Sequence, residues 1–110
     1  MQKTPIFPMT VIAAAAVSAA RFVGMLTGAH CAAGAKAQGV SQFAATTGEA
    51  FTADVLGTSI VEAGGAVAAG VAVEADAQGR AITRTTGETN GWAVTGATAA
   101  GQKIEVLLKL

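Results

Sequence analysis

One pattern occurs twice in this chain, and it limits the fold more than any other feature. The last twenty residues, Gly91 to Leu110, carry two short apolar runs, Trp92 to Thr95 and Ile104 to Leu108. Between them lies Gly96-Ala-Thr-Ala-Ala-Gly101, too Gly-rich for a good helix and too short for a linker. Such a segment predicts a β-hairpin. The same succession occurs earlier, from Gly39 to Leu56, with Gly48 in its connection and Val55-Leu56 at its end. A repeat kept only as a pattern implies two similar halves of a few strands each, closing on a shared core.

The intervening sequence fits that plan. Arg21 to Leu26 reads as a strand ended by Thr27-Gly28, and Val71 to Ala75 alternates as another. Asp76-Ala-Gln-Gly79 is a turn into Arg80 to Thr85, where Ala and Ile alternate with Arg and Thr as in a strand with one wet face. Short strands with Gly-rich turns at regular spacing predict an all-β domain, a small sandwich or a partly closed barrel. The side chains in the apolar phases of these strands form the expected core: Phe22, Val40, Phe43, Phe51, Val55, Leu56, Ile60, Val71, Val73, Ile82, Val94, Ile104, Val106 and Leu108.

The domain expected over 13–110 is preceded by an N-terminal arm over 1–12. Pro5 and Pro8 hold it extended and unfit it for a central strand, while Ile6 and Phe7 have few apolar neighbours in sequence. Lys3, Pro5, Ile6, Phe7 and Pro8 are therefore the candidate contact strip toward a neighbouring molecule. Lys3, the apolar stretch after it and Val17-Ser-Ala19 also mimic a secretory leader, but the two prolines interrupt the segment that a leader keeps helical. The apolar run from Met9 to Ala20 has twelve residues and stops at Arg21, short of the roughly 20 needed to span a bilayer. On propensity, Ala13 to Ala20 is open to helix, strand or loop.

Composition narrows the function classes. Only 13% of residues are charged, seven basic against seven acidic, so the basic footprint of a nucleic-acid binder is missing. Hydrophobic residues make up 52%, but much of this is Ala, which buries little area per residue. A weak core and a weakly charged surface together imply that other chains cover part of the outside.

Catalytic arrangements are poorly supplied. Gly28, Gly34 and Lys36 have the wrong spacing for a phosphate loop. His30 is the only histidine and Cys31 the only cysteine, which cannot assemble a zinc site or a disulfide. Ser18, Ser41 or Ser59 could be drawn with His30 and Asp54 or Asp76 into a triad, but no nucleophile elbow supports one. Glu49 with Asp54, and Glu74 with Asp76, lie at predicted turns, where solvated acids are ordinary. No catalytic residue, cofactor or metal ligand is assigned.

Three stretches carry a resemblance. Ile60 to Gly70, Val71 to Ala81, and the terminal Gly91 to Val94 with Ala100-Gly101 and Ile104 to Leu108 together resemble the small Ala/Gly-rich head decoration, or capsid cement, proteins of tailed bacteriophages. The resemblance implies an all-β structural protein, not an enzyme, on the outer surface of the virion capsid. There it would clamp neighbouring major capsid protein subunits as a homo-oligomer, with a trimer favoured and a dimer the alternative. Neither nucleic acid nor membrane is an implied partner. The rival readings are a secreted or periplasmic β-domain with residues 1–20 as leader, and a small hydrolase built around His30.

Overall fold

The computed structural model describes the backbone of residues 5–108 and the side chains of residues 8–108. Its strands are β1 (Pro5–Ile12), β2 (Phe22–Gly24), β3 (Ala37–Ser41), β4 (Ala50–Glu62), β5 (Ala72–Ala75), β6 (Ala81–Thr83), β7 (Gly91–Ala93) and β8 (Lys103–Leu108). No helix occurs among the described residues. The sheet runs in the order β2-β3-β4-β8-β7-β5-β6, with β1 added to β4, and every strand pair is antiparallel.

The two ends of this order curl toward each other. The Phe22 N–H donates to Gly79 O at 2.6 Å, joining β2 to the turn before β6, and Ala63 bridges Ala81 in parallel. Gly79 permits the approach: its φ is 75°, and a Cβ there would press on the Phe22 carbonyl. The result is the all-β, partly closed barrel expected from the strand pattern.

Two apolar clusters hold it. The larger fills the barrel and includes Phe22, Val40, Val61, Val73, Ile104 and Val106. The smaller lies on the other side of β2 and β4, with Val17, Val23, Phe51 and Ala53 at its centre. Successive strand residues point to opposite faces, so Phe22 and Val23, both fully buried, show that β2 is covered on both sides.

Of the expected core, Phe22, Val40, Phe51, Val55, Val73, Ile104, Val106 and Leu108 are buried. Leu56, Ile60, Val71 and Ile82 are half-buried, and Phe43 and Val94 are exposed. Phe43 and Val94 fall just beyond the ends of β3 and β7, where the chain leaves the sheet. In β4 the inward positions of the second half are Gly57, Ser59 and Val61, so Val61 takes the place expected of Ile60.

The two-halves plan extends well beyond the hairpins. Phe22 pairs with Val40 and Val23 with Gly39, as Ala72 pairs with Trp92 and Val73 with Gly91. Val40 and Ser41 pair with Asp54 and Ala53, as Trp92 and Ala93 pair with Leu107 and Val106. Ile12 opposes Ala50 as Glu62 opposes Lys103, and Val17 bridges Ala45 as Val67 bridges Ala97. The hairpin loops repeat even a side-chain contact, since Thr46 N–H donates to Glu49 Oε1 and Thr98 N–H to Gln102 Oε1, each at 2.7 Å.

Once the structure aligns the halves, the sequence trace is plain: Val11-Ile-Ala-Ala-Ala-Ala-Val17 matches Val61-Glu-Ala-Gly-Gly-Ala-Val67. β4 serves both halves. Its first part ends the first half against β1, and its second part begins the second half against β8. The change of partner falls at Gly57, which is registered with both Pro5 and Leu108 and has a φ of 96°.

The expected N-terminal arm is extended from Pro5 to Ile12 and pairs with β4. This stretch is a strand of the fold, the counterpart of the second part of β4. The prolines are accommodated because the register slips between Pro5 and Phe7 and again between Phe7 and Pro8, and because β4 is the one described strand that β1 pairs with. Residues 1–4 lie outside the described residues. The Ala13 to Ala20 run is neither helix nor regular strand: Val17 makes a single bridge, and Ala20 adopts a left-handed φ of 60°.

Candidate functional site

Where the halves meet, charge gathers. Arg21 donates through Nη2 to Glu62 Oε2 at 3.3 Å and through Nη1 to the Gln78 carbonyl at 3.0 Å. Arg80 Nε reaches Asp76 Oδ2 at 2.9 Å, and its Nη1 lies 3.9 Å from Glu62. Gly64 makes room for the Asp76 carboxylate, with which a Cβ would collide. The Glu62 N–H donates to Ala20 O at 2.8 Å, so backbone and guanidinium of one short segment both close on the second half.

His30 lies near this cluster. Its Nε2 accepts a hydrogen bond from the Ser18 backbone N–H at 2.9 Å. Burial, then the neighbouring Arg21 charge, push its pKa below the ordinary value, against a smaller opposing effect of Asp76. Of the serines considered with it, Ser18 meets it through the backbone, and the hydroxyls of Ser41 and Ser59 are engaged elsewhere. Ser41 Oγ donates to Ser18 O at 2.6 Å, and Ser59 Oγ to the buried Asp54 Oδ2 at 2.7 Å. Cys31 is fully buried, donates to Ala35 O, and has its thiol pKa pushed up to about 11 by burial. Among the described residues no three His, Cys, Asp or Glu side chains converge as metal ligands.

The surface offers a different kind of feature. A shallow groove of about 460 Å³ runs between β1 and the turn after β2, lined by Met9, Ile12, Leu26, Thr27 and Gln38 among others. Ile12 is 61% exposed and Leu26 83%. Leu26 also has a φ of 60°, a conformation that costs a side chain of this size on the order of 1 kcal/mol or more. Gln38 holds the turn in place by accepting the Leu26 N–H at 3.1 Å. A large apolar side chain, held in a disfavoured conformation and turned to solvent, makes this groove a candidate contact surface. A second apolar area lies on the outer face of β7 and β8, where Trp92 and Leu107 are cross-strand partners and both are partly exposed.

The contact strip expected from sequence lies on the strand that borders this groove. Pro5, Ile6, Phe7 and Pro8 belong to β1, and Pro8 is exposed; the side chains of Pro5, Ile6 and Phe7, and all of Lys3, fall outside what is described. Met9 and Ile12, farther along the same strand, were not expected at the surface site, and neither was Leu26. The available signal was the placement of Leu26 directly before Thr27-Gly28, which reads as the end of a strand and so hides an exposed turn.

Comparison with known proteins places the chain. The model of a family described as phage cement protein matches residues 1–110. Among solved structures, the fold is similar to the head fiber gp8.5 N base of bacteriophage phi29, with a TM-score of 0.79 and 20% identity, covering 94% of this chain and 93% of that one. No curated protein matches. The neighbour shares the all-β fold, and the family match runs along the entire length: the chain belongs to the phage cement protein family.

Proposed function

We propose that this protein binds the outer surface of a phage head as a homo-oligomer, with a trimer favoured, and stabilises contacts between neighbouring major capsid protein subunits. The observation that carries the reading is the match to the cement family over all 110 residues. Exposed apolar side chains on two faces support it, because a surface with only 13% charged residues in the chain is suited to being covered. The role is structural and needs no catalytic residue or cofactor.

Lys3, Pro5, Ile6, Phe7 and Pro8 are the proposed contact strip toward the capsid. Pairing of Pro5–Ile12 with β4 supports this by fixing the backbone from Pro5 to Pro8 on the barrel, so that little ordering entropy remains there to oppose docking. Deleting residues 1–8 would also remove part of that ladder, which makes substitution the cleaner experiment. Purified protein added to undecorated heads should bind at saturable, regular positions in an image reconstruction and raise the temperature at which heads rupture. Ile6→Ser with Phe7→Ser should lower occupancy while circular dichroism stays native. Heads that bind no protein would refute the capsid role; full occupancy by the double variant would refute the strip.

A further inference from the structure

The duplicated architecture shows what fits the groove on the first half, because its counterpart on the second half is filled. Ile12 corresponds to Glu62, Met9 to Ser59 and Gln38 to Asn90, as the paired registers require. Around Glu62 that surface is covered: the Glu62 side chain is 21% exposed, whereas Ile12 is 61% exposed. The cover comes from the first half, where Ala20 O accepts the Glu62 N–H, Arg21 binds the Glu62 carboxylate, and Phe22 N–H donates to Gly79 O. Around Ile12 the same surface is open.

The segment equivalent to Ala20-Arg-Phe22 is Gly70-Val-Ala72, and within one chain it does not reach the groove. The residue types at the two places change together. Where the filled site opposes Arg21 to Glu62, the open one would oppose Val71 to Ile12, so that an ion pair is replaced by an apolar pair on both sides. Met9 and Leu26 extend the apolar character of the open site. Gly70 is exposed and Val71 half-buried, so the segment is at the surface.

We propose that the groove beside Ile12 receives the Gly70–Ala72 segment of a second copy of this chain. The contact is head to tail, since one copy gives its first half and the other its second. Repeated, it closes into a ring or continues as a filament, and the trimer proposed above is one such ring. The inference deepens the oligomer part of that reading, and its test uses no capsid.

The experiment is sedimentation of the full chain over a wide concentration range, with the wild type, Ile12→Glu, Val71→Arg and the double variant. The wild type should self-associate. Each single variant should lower the association constant by roughly 100-fold, as expected when an unpaired charge is buried against apolar groups. The double variant should recover association, because it rebuilds between copies the Arg21–Glu62 pair that the chain already makes within itself. Circular dichroism melts establish that each variant is folded; Ile12 is exposed enough to accept Glu in the monomer. A wild type that stays monomeric overturns the proposal, as do folded single variants that associate like the wild type, or a double variant no better than either single one.

Discussion

Ala20 and Gly70 stand at the same place in the two halves of the barrel, and both are left-handed, with φ of 60° and 88°. Ala20 N–H donates to Ser41 O as Gly70 N–H donates to Ala93 O, and Ser41 and Ala93 are themselves counterparts. Only the second half carries the residue that this conformation favours. Ala20→Gly should therefore stabilise the protein, by up to about 1 kcal/mol after the extra chain entropy of Gly is subtracted. Gly70→Ala should destabilise it by about 1 kcal/mol through backbone strain alone, since no atom lies within 4 Å of the added Cβ. Urea denaturation of the two variants checks both signs.

Asp54 is fully buried in β4 and accepts from Gln42 Nε2 at 2.5 Å and from Ser59 Oγ at 2.7 Å. Its counterpart is Leu107, on the outer face of β8. Asp54→Ala should cost about 3 kcal/mol, because it leaves the buried Ser59 hydroxyl and the half-buried Gln42 amide without this acceptor. Asp54→Asn should cost less, since the amide oxygen keeps one acceptor and the Ser59 hydroxyl can rotate to accept from the amide. Equal losses for the two variants in urea denaturation would show that the hydrogen bonds do not account for this residue.

The two hairpin loops should respond differently to acid. Glu49 accepts the Thr46 N–H and then its hydroxyl, which lowers the Glu49 pKa below the ordinary 4.5; Gln102 makes the equivalent contact to Thr98 and does not titrate. Glu74 is lowered too, chiefly by the Thr85 N–H. A carboxylate whose folded pKa is depressed contributes stability above its unfolded pKa and loses it as pH falls through the folded value. Thermal stability should therefore drop below about pH 4.5. Glu49→Gln and Glu74→Gln should each flatten that slope, and melting temperatures measured across this range read it directly.

Cys31 should be nearly inert toward thiol reagents in the native protein. It is fully buried, its thiol pKa is pushed up to about 11, and its Sγ donates to Ala35 O at 3.3 Å. The thiolate is the reactive form, so modification has to wait for opening of the fold. The rate of modification by an aromatic disulfide reagent should rise with urea in step with unfolding. Fast modification without denaturant would show that the region around Ala35 opens on its own.

Much of this fold could be read before any coordinates. Runs such as Ile104 to Leu108 and Val71 to Ala75 alternate with the period of a strand, Gly and Asp mark the turns between them, and the hairpin from Gly91 recurs in the one from Gly39. These are local signals, set by backbone sterics and side-chain spacing, and they act within a few residues. They sufficed for the all-β class, for the two halves, and for a core built around Phe22, Phe51 and Ile104. The resemblance of Ile60 to Ala81 to the cement proteins was equally local, and it led to the family.

The candidate surface depended on contacts between residues distant in sequence. Whether Val61 or Ile60 points inward follows from the register of β4 against β8, and the strand role of Pro5–Ile12 follows from a ladder with residues about 45 positions away. Ile12 and Glu62 hold the same place in two copies of one motif, yet one is open to solvent and the other covered. Local sequence cannot express that difference, because the cover on Glu62 comes from Ala20 and Arg21, brought there only when the barrel closes.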